Sequence, residues 1–177
     1  MSRRIDALTG IRAFAALAVL IYHYQFYFLT GRISDYGYLG VDLFFILSGF
    51  VIAHAHLGEF ASLHWATILR FYGLRLARIY PVHFVILIGL VCTVITAGHF
   101  GVAAHLPSQF TANSLWANLL LIHAWGPWPL SWNFPAWSIS CEWAAYLLCP
   151  LLCFGLIRIT RASQALWPAR RRSPHRA

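Results

Sequence analysis

Apolar residues in this chain come in long unbroken runs, without the alternation that one solvated face would impose. Three runs, about Gly10–Leu29, Gly37–Ala55 and Ile79–Ala97, approach the roughly 20 residues that a helix needs to cross a bilayer. A fourth covers about Ala136–Ile157. Between the last two lies "SLWANLLLIHAW" (Ser114 to Trp125), too short for a span and suited to an interfacial or re-entrant helix. The pattern predicts an all-α, polytopic transmembrane bundle of about four spans plus that short helix. The first run does not read as a cleaved signal: Arg12 interrupts its start and no small-residue cleavage site follows. No internal repeat is visible.

Composition narrows the class. With 177 residues that are 60% hydrophobic and only 10% charged, the chain is too apolar for a soluble globular domain. Its positive charge is all arginine, in clusters. Arg3 and Arg4 precede the first run, Arg70, Arg75 and Arg78 lie between the second and third, and Arg158, Arg161 and Arg170 to Arg172 follow the last. Four spans place all three clusters on one side, which the positive-inside rule makes cytoplasmic, with both termini inside. The charge thus marks a membrane face and not a nucleic-acid surface. Cys92, Cys141, Cys149 and Cys153 all fall in apolar runs without metal-ligand spacing, so neither a disulfide framework nor a metal site is expected.

Ionisable groups inside the spans are few, and each is costly there. Arg12 and His23 are eleven residues apart, which places them on one helix face about 16 Å apart along the axis. Singly, Arg12 reads as a snorkelling residue and His23 as a bonded core histidine; together on one face they favour function. Asp42 sits about one turn inside the second span, where it is either a helix-start aspartate or a functional carboxylate. Ser48 and Gly49 suit close helix packing. Glu142 lies among tryptophans in "WNFPAWSISCEWAAYLLCP". The four-span topology puts His23, Asp42 and Glu142 in one outer layer and Arg12, Arg75 and Arg78 at the inner side. That polarity suggests an anionic ligand held from the cytoplasm and proton chemistry nearer the outer face.

Four blocks, in order, resemble the acyltransferase-3 family of integral membrane O-acyltransferases: "DALTGIRAFAALAVLIYHY" (Asp6 to Tyr24), "GYLGVDLFFILSGFVI" (Gly37 to Ile52), "RLARIYP" (Arg75 to Pro81) and "NFPAWSISCEWAAYLLCP" (Asn133 to Pro150). The resemblance implies transfer of an acyl group, typically acetyl, from acyl-CoA (acetyl-CoA) on the cytoplasmic side to a hydroxyl of a carbohydrate or related acceptor. It implies no bound cofactor and a place in the bacterial cytoplasmic membrane. Its histidine maps to His23, its glutamate to Glu142, and its arginines to Arg12, Arg75 and Arg78. A neutral imidazole suits general-base work on an alcohol, and guanidinium groups suit the phosphates of the donor. With the depth argument, His23, Glu142 and Asp42 are the catalytic candidates. Arg12, Arg75, Arg78, Asn133, Trp137 and Ser138 are the substrate-binding ones.

The expected organisation is an acyltransferase-like transmembrane domain over residues 1–157 and an arginine-rich, disordered cytoplasmic tail over 158–177. Members of that family are typically longer and have further spans. The resemblance therefore implies either a truncated or frameshifted chain or a natural short form, with activity dependent on another polypeptide that supplies the missing helices. A proton-coupled transporter and a non-catalytic membrane fragment stay open as alternatives.

Overall fold

The computed structural model describes residues 6–28, 36–102, 108–126 and 132–166. Five α-helices carry the fold: α1 (Asp6–Phe28), α2 (Leu39–His56), α3 (Trp65–His99), α4 (Ala112–Leu119) and α5 (Trp137–Leu166). Short 3-10 turns at Glu59–Ala61 and Phe134–Ala136 precede α3 and α5. The described residues contain no strand, so the chain is all-α as expected. Three helical stretches, Leu39–His56, Trp65–His99 and Phe134–Ser163, are long and apolar enough to cross a membrane. With the 23-residue α1 beside them, the count agrees roughly with the predicted four. This is an integral membrane protein.

Two glycines set how α1 meets α2. A Cβ on Gly40 would lie 2.6 Å from the Ala15 carbonyl oxygen and 2.7 Å from a Val19 methyl carbon. One on Gly37 would lie 2.5 Å from the Tyr22 Cβ. Without side chains there, the two helices approach to backbone contact, which is how helices gain dispersion energy where lipid offers no hydrophobic drive. The packing role expected of Gly49 is not observed, since a Cβ there would meet nothing within 4 Å.

α3 begins at Trp65, well before the predicted Ile79. Arg70, Arg75 and Arg78 therefore ride on the helix instead of a connecting loop. At 35 residues it is about 52 Å long, against about 30 Å for a hydrocarbon core. α5 likewise continues past the predicted Ile157, to Leu166, and the arginine-rich tail beyond it lies outside the described residues.

The short helix does not span. α4 has eight residues, about 12 Å, and Thr111 caps it by accepting from the Ser114 amide at 3.2 Å. The chain then turns at Leu121, whose φ of 57° is unfavourable for a residue with a Cβ. Trp132 Nε1 donates to the Thr111 carbonyl at 2.9 Å, so the way out closes against the way in. The tip packs on α5: Ser140 Oγ donates to the Leu121 carbonyl at 2.8 Å and accepts from the Ala124 amide at 3.1 Å. The described residues thus fold back on themselves as a hairpin. Leu121, Phe60, Phe71 and Tyr146 are all almost wholly buried and form the core where α2, α3 and α5 meet.

Candidate active site

Four helices line one cavity of about 360 Å³. α1 contributes Arg12 and Val19, two turns apart on one face. α2 contributes Val41, Phe44, Phe45 and Ser48, α3 contributes Arg78, and α5 contributes Ser138 and Glu142, one turn apart. Four of the sequence-predicted residues thus meet here: Arg12, Arg78, Ser138 and Glu142.

Glu142 is held rather than free. Its Oε1 accepts from Ser48 Oγ at 3.2 Å and from the hydroxyl of Tyr146, one turn further along α5. Such charge-assisted bonds reduce the cost of placing a carboxylate among apolar helices. Neither guanidinium neutralises it: among the described residues, the pair between a base and a carboxylate within 4 Å is His56–Glu59. Two permanently charged arginines and one carboxylate around a common space leave a net positive site, suited to an anion.

Arg75 does not line this cavity. Its Nη2 donates to His56 Nε2 at 2.6 Å, and the opposite ring nitrogen of His56 donates to Glu59 Oε2 at 3.0 Å. The guanidinium also lies 5.2 Å from the Phe71 ring centroid and 5.8 Å from that of Tyr146. Arg75 is therefore committed to a carboxylate–imidazole–guanidinium chain that ties the end of α2 to α3 and α5.

His23 is exposed, and its Nδ1 donates to the Val19 carbonyl at 2.8 Å. A carbonyl only accepts, so this bond keeps the proton on Nδ1 and the lone pair on Nε2. Arg12, Val19 and His23 share a helix face, with His23 beyond the cavity toward the other end of α1. Glu142 lies at the level of Arg12, so the predicted shared layer of His23, Asp42 and Glu142 does not hold. The reason is where α5 starts. The Trp137 ring sits 6.5 Å from that of Phe45, six residues or about 9 Å into α2. Asp42 is exposed in the first turn of α2 and does not line the cavity.

Asn133 and Trp137 also lie outside the cavity lining. Asn133 is buried, with Nδ2 donating to His83 Nδ1 at 3.3 Å. Trp137 is partly exposed beside Phe45. His83 and His123, which nothing in the spacing singled out, stack with centroids 5.7 Å apart and planes within 1°. Burial holds the His123 pKa below the usual imidazole range despite its hydrogen bond to the Ala136 carbonyl. Tyr146 was also missed, although its spacing of four from Glu142 on a helix was a usable signal.

The helices of this membrane protein thus converge on two arginines and a bonded carboxylate around one cavity. The chain belongs to the acyltransferase-3 family: residues 5–172 match its acyltransferase domain. It is 35% identical over 179 residues to the acyltransferase MdmB of Streptomyces mycarofaciens, covering 94% of this chain and 43% of that protein. It is 30% identical over 162 residues to the O-acetyltransferase OatA of Staphylococcus aureus strain NCTC 8325 / PS 47, covering 85% of this chain and 25% of that one. The chain thus spans less than half the length of these relatives. No solved structure matches it.

Proposed function

We propose that the chain forms the donor-binding and catalytic part of a membrane O-acyltransferase of the bacterial cytoplasmic membrane, with both termini on the cytoplasmic side. It moves an acetyl or other acyl group from acyl-CoA to a hydroxyl of a carbohydrate or related acceptor, and no bound cofactor is required. The observation that carries this reading is the convergence of Arg12, Arg78 and Glu142 from three helices on one cavity. Arg12 and Arg78 bind donor phosphate, because guanidinium groups bond phosphate bidentately and stay charged inside the bilayer. His23 Nε2 takes the proton from the acceptor hydroxyl as its oxygen attacks the thioester carbonyl. The C–S bond breaks, the ester leaves on the acceptor, and the thiolate is reprotonated to CoA. Asp42, exposed in the first turn of α2, attracts protons toward the site. Ser138, on the same cavity wall as Glu142, contacts the donor, and Trp137 packs beside it.

The test is ester formation. Residues 5–172 replace the matching portion of MdmB, and membranes carrying the chimera are given acetyl-CoA labelled in the acetyl group and a panel of carbohydrate alcohols. Label should appear in the acceptor as an alkali-labile ester, and Arg78→Ala should lower its yield at donor concentrations below saturation. A correctly inserted chimera that releases no CoA from acetyl-CoA in the presence of any acceptor would overturn the reading.

A further inference from the structure

We propose that His83 and Asn133 are positioning residues, part of a buried polar clamp that sets the rotation of α5 and hence the direction of Glu142. The proposal deepens the function above and rests on Glu142 belonging to the site.

The clamp lies where α3, the hairpin and the start of α5 meet. His83 Nε2 donates to the Asn118 carbonyl at 3.0 Å, and its Nδ1 accepts from Asn133 Nδ2 at 3.3 Å. Both partners are needed to use this imidazole fully, and together they fix it as neutral with its proton on Nε2. Its stacked neighbour His123 donates from Nε2 to the Ala136 carbonyl at 3.1 Å, one residue before α5 begins. Ser140 completes the set, and its own carbonyl accepts from Trp125 Nε1 at 2.9 Å. His83, Asn118, His123, Asn133 and Ser140 are all at least nine-tenths buried. Polar groups withdrawn to that degree are costly when unbonded, and here only His123 Nδ1 lacks a partner, so losing the bonds that are made would carry a high cost.

The consequence runs along α5. Ser140 points into the clamp, and Glu142, two residues on, is turned by about 200° toward Ser48 of α2. A slip of one residue at the start of α5 would swing Glu142 by about 100° away from Ser48. The hairpin also holds Leu121 at its φ of 57°, and such strain persists where the surroundings over-determine the backbone. In this reading Asn133 never touches substrate. It acts through His83 and the turn that follows it.

The chain contains two glutamates, Glu59 and Glu142, so labelling glutamate with ¹³C at the side-chain carboxyl yields two signals that Glu142→Gln assigns. The full chain in nanodiscs is compared as parent, His83→Ala, His83→Gln and Asn133→Ala. The expected result is that His83→Ala and Asn133→Ala move the Glu142 signal while Glu59, at the far end of the bundle, is unchanged. His83→Gln, which can still donate to Asn118, should restore part of the parental shift and is read in its own right if His83→Ala does not fold. In the MdmB chimera the same variants should lower kcat by about 10²-fold, the effect of a misplacement of about 1 Å, with acetyl-CoA Kd unchanged. An unmoved Glu142 signal in helical, folded Asn133→Ala overturns the clamp, whatever the activity. A moved signal with unchanged kcat supports the clamp and removes Glu142 from the reaction.

Discussion

Arg75 and Arg78 are one turn apart on α3, yet the structure gives them different duties, and binding can separate them. Arg78→Ala removes a guanidinium that faces the cavity without a carboxylate partner. A hydrogen bond to a charged group contributes about 1.5–3 kcal/mol, so the Kd for CoA should rise by about 10- to 150-fold, and Arg12→Ala should behave alike. Arg75→Ala instead breaks the bond to His56 and two ring contacts at Phe71 and Tyr146. Its cost of about 2–4 kcal/mol should fall on folding, with CoA affinity changed less than about threefold. The assay is calorimetric titration of CoA into the chain in nanodiscs, alongside a thermal melt of each variant. Lysine at position 78 should recover only part of the loss, because it offers a point charge where the fork offers two parallel bonds. The reasoning fails if Arg75→Ala matches Arg78→Ala in lost affinity while melting like the parent.

Three further outcomes are expected. Gly40→Val should separate α1 from α2, at about 1–3 kcal/mol from overpacking, and it should weaken CoA binding because Arg12 moves with α1; cross-linking of cysteines placed on facing turns of the two helices reads the separation. His23→Ala should lower acyl transfer in the MdmB chimera by about 10²- to 10⁴-fold, and its effect should multiply with that of Glu142→Gln, since the two groups sit about 16 Å apart in depth; a double variant no worse than His23→Ala would show that they act as one unit. The hairpin should loosen in acid. Burial lowers the His123 pKa, so the unfolded state binds the proton more readily, and stability present above the ordinary imidazole pKa of about 6.5 is lost as pH falls below it. Melts from pH 8 to 5 should show that decline, and His123→Gln should make it shallower.

The helices were legible in the sequence wherever apolar content alone decides. α1, α2 and the start of α5 fall within a few residues of their apolar runs, because a bilayer asks little more than length and hydropathy. The inner part of α3 was not legible that way. "WATILRFYGLRLAR" carries three arginines, so its hydropathy drops, although helical periodicity continues across it. Arg12, Arg78, Ser138 and Glu142 could be named from their blocks, but their shared depth could not. That depth depends on where α5 starts against α2, which is a packing outcome. His83 was invisible for a related reason. A single histidine in an apolar run looks like any bonded core residue, and its two partners arrive from segments 35 and 50 positions away.

The order of synthesis gives the α1–α2 contact another meaning. Gly37 and Gly40 let these two consecutive helices pair as a unit, so a stable hairpin is available while the rest is still being made. The cavity has no such early form. Its arginines are delivered on α1 and α3, but its carboxylate arrives last, on α5. Until then two guanidinium groups must be sheltered by lipid headgroups, water or the insertion machinery, since a bare charge in the bilayer is expensive. Quality control at the membrane therefore has a simple cue: an intermediate halted before α5 displays its arginines without the carboxylate that α5 brings to the same cavity.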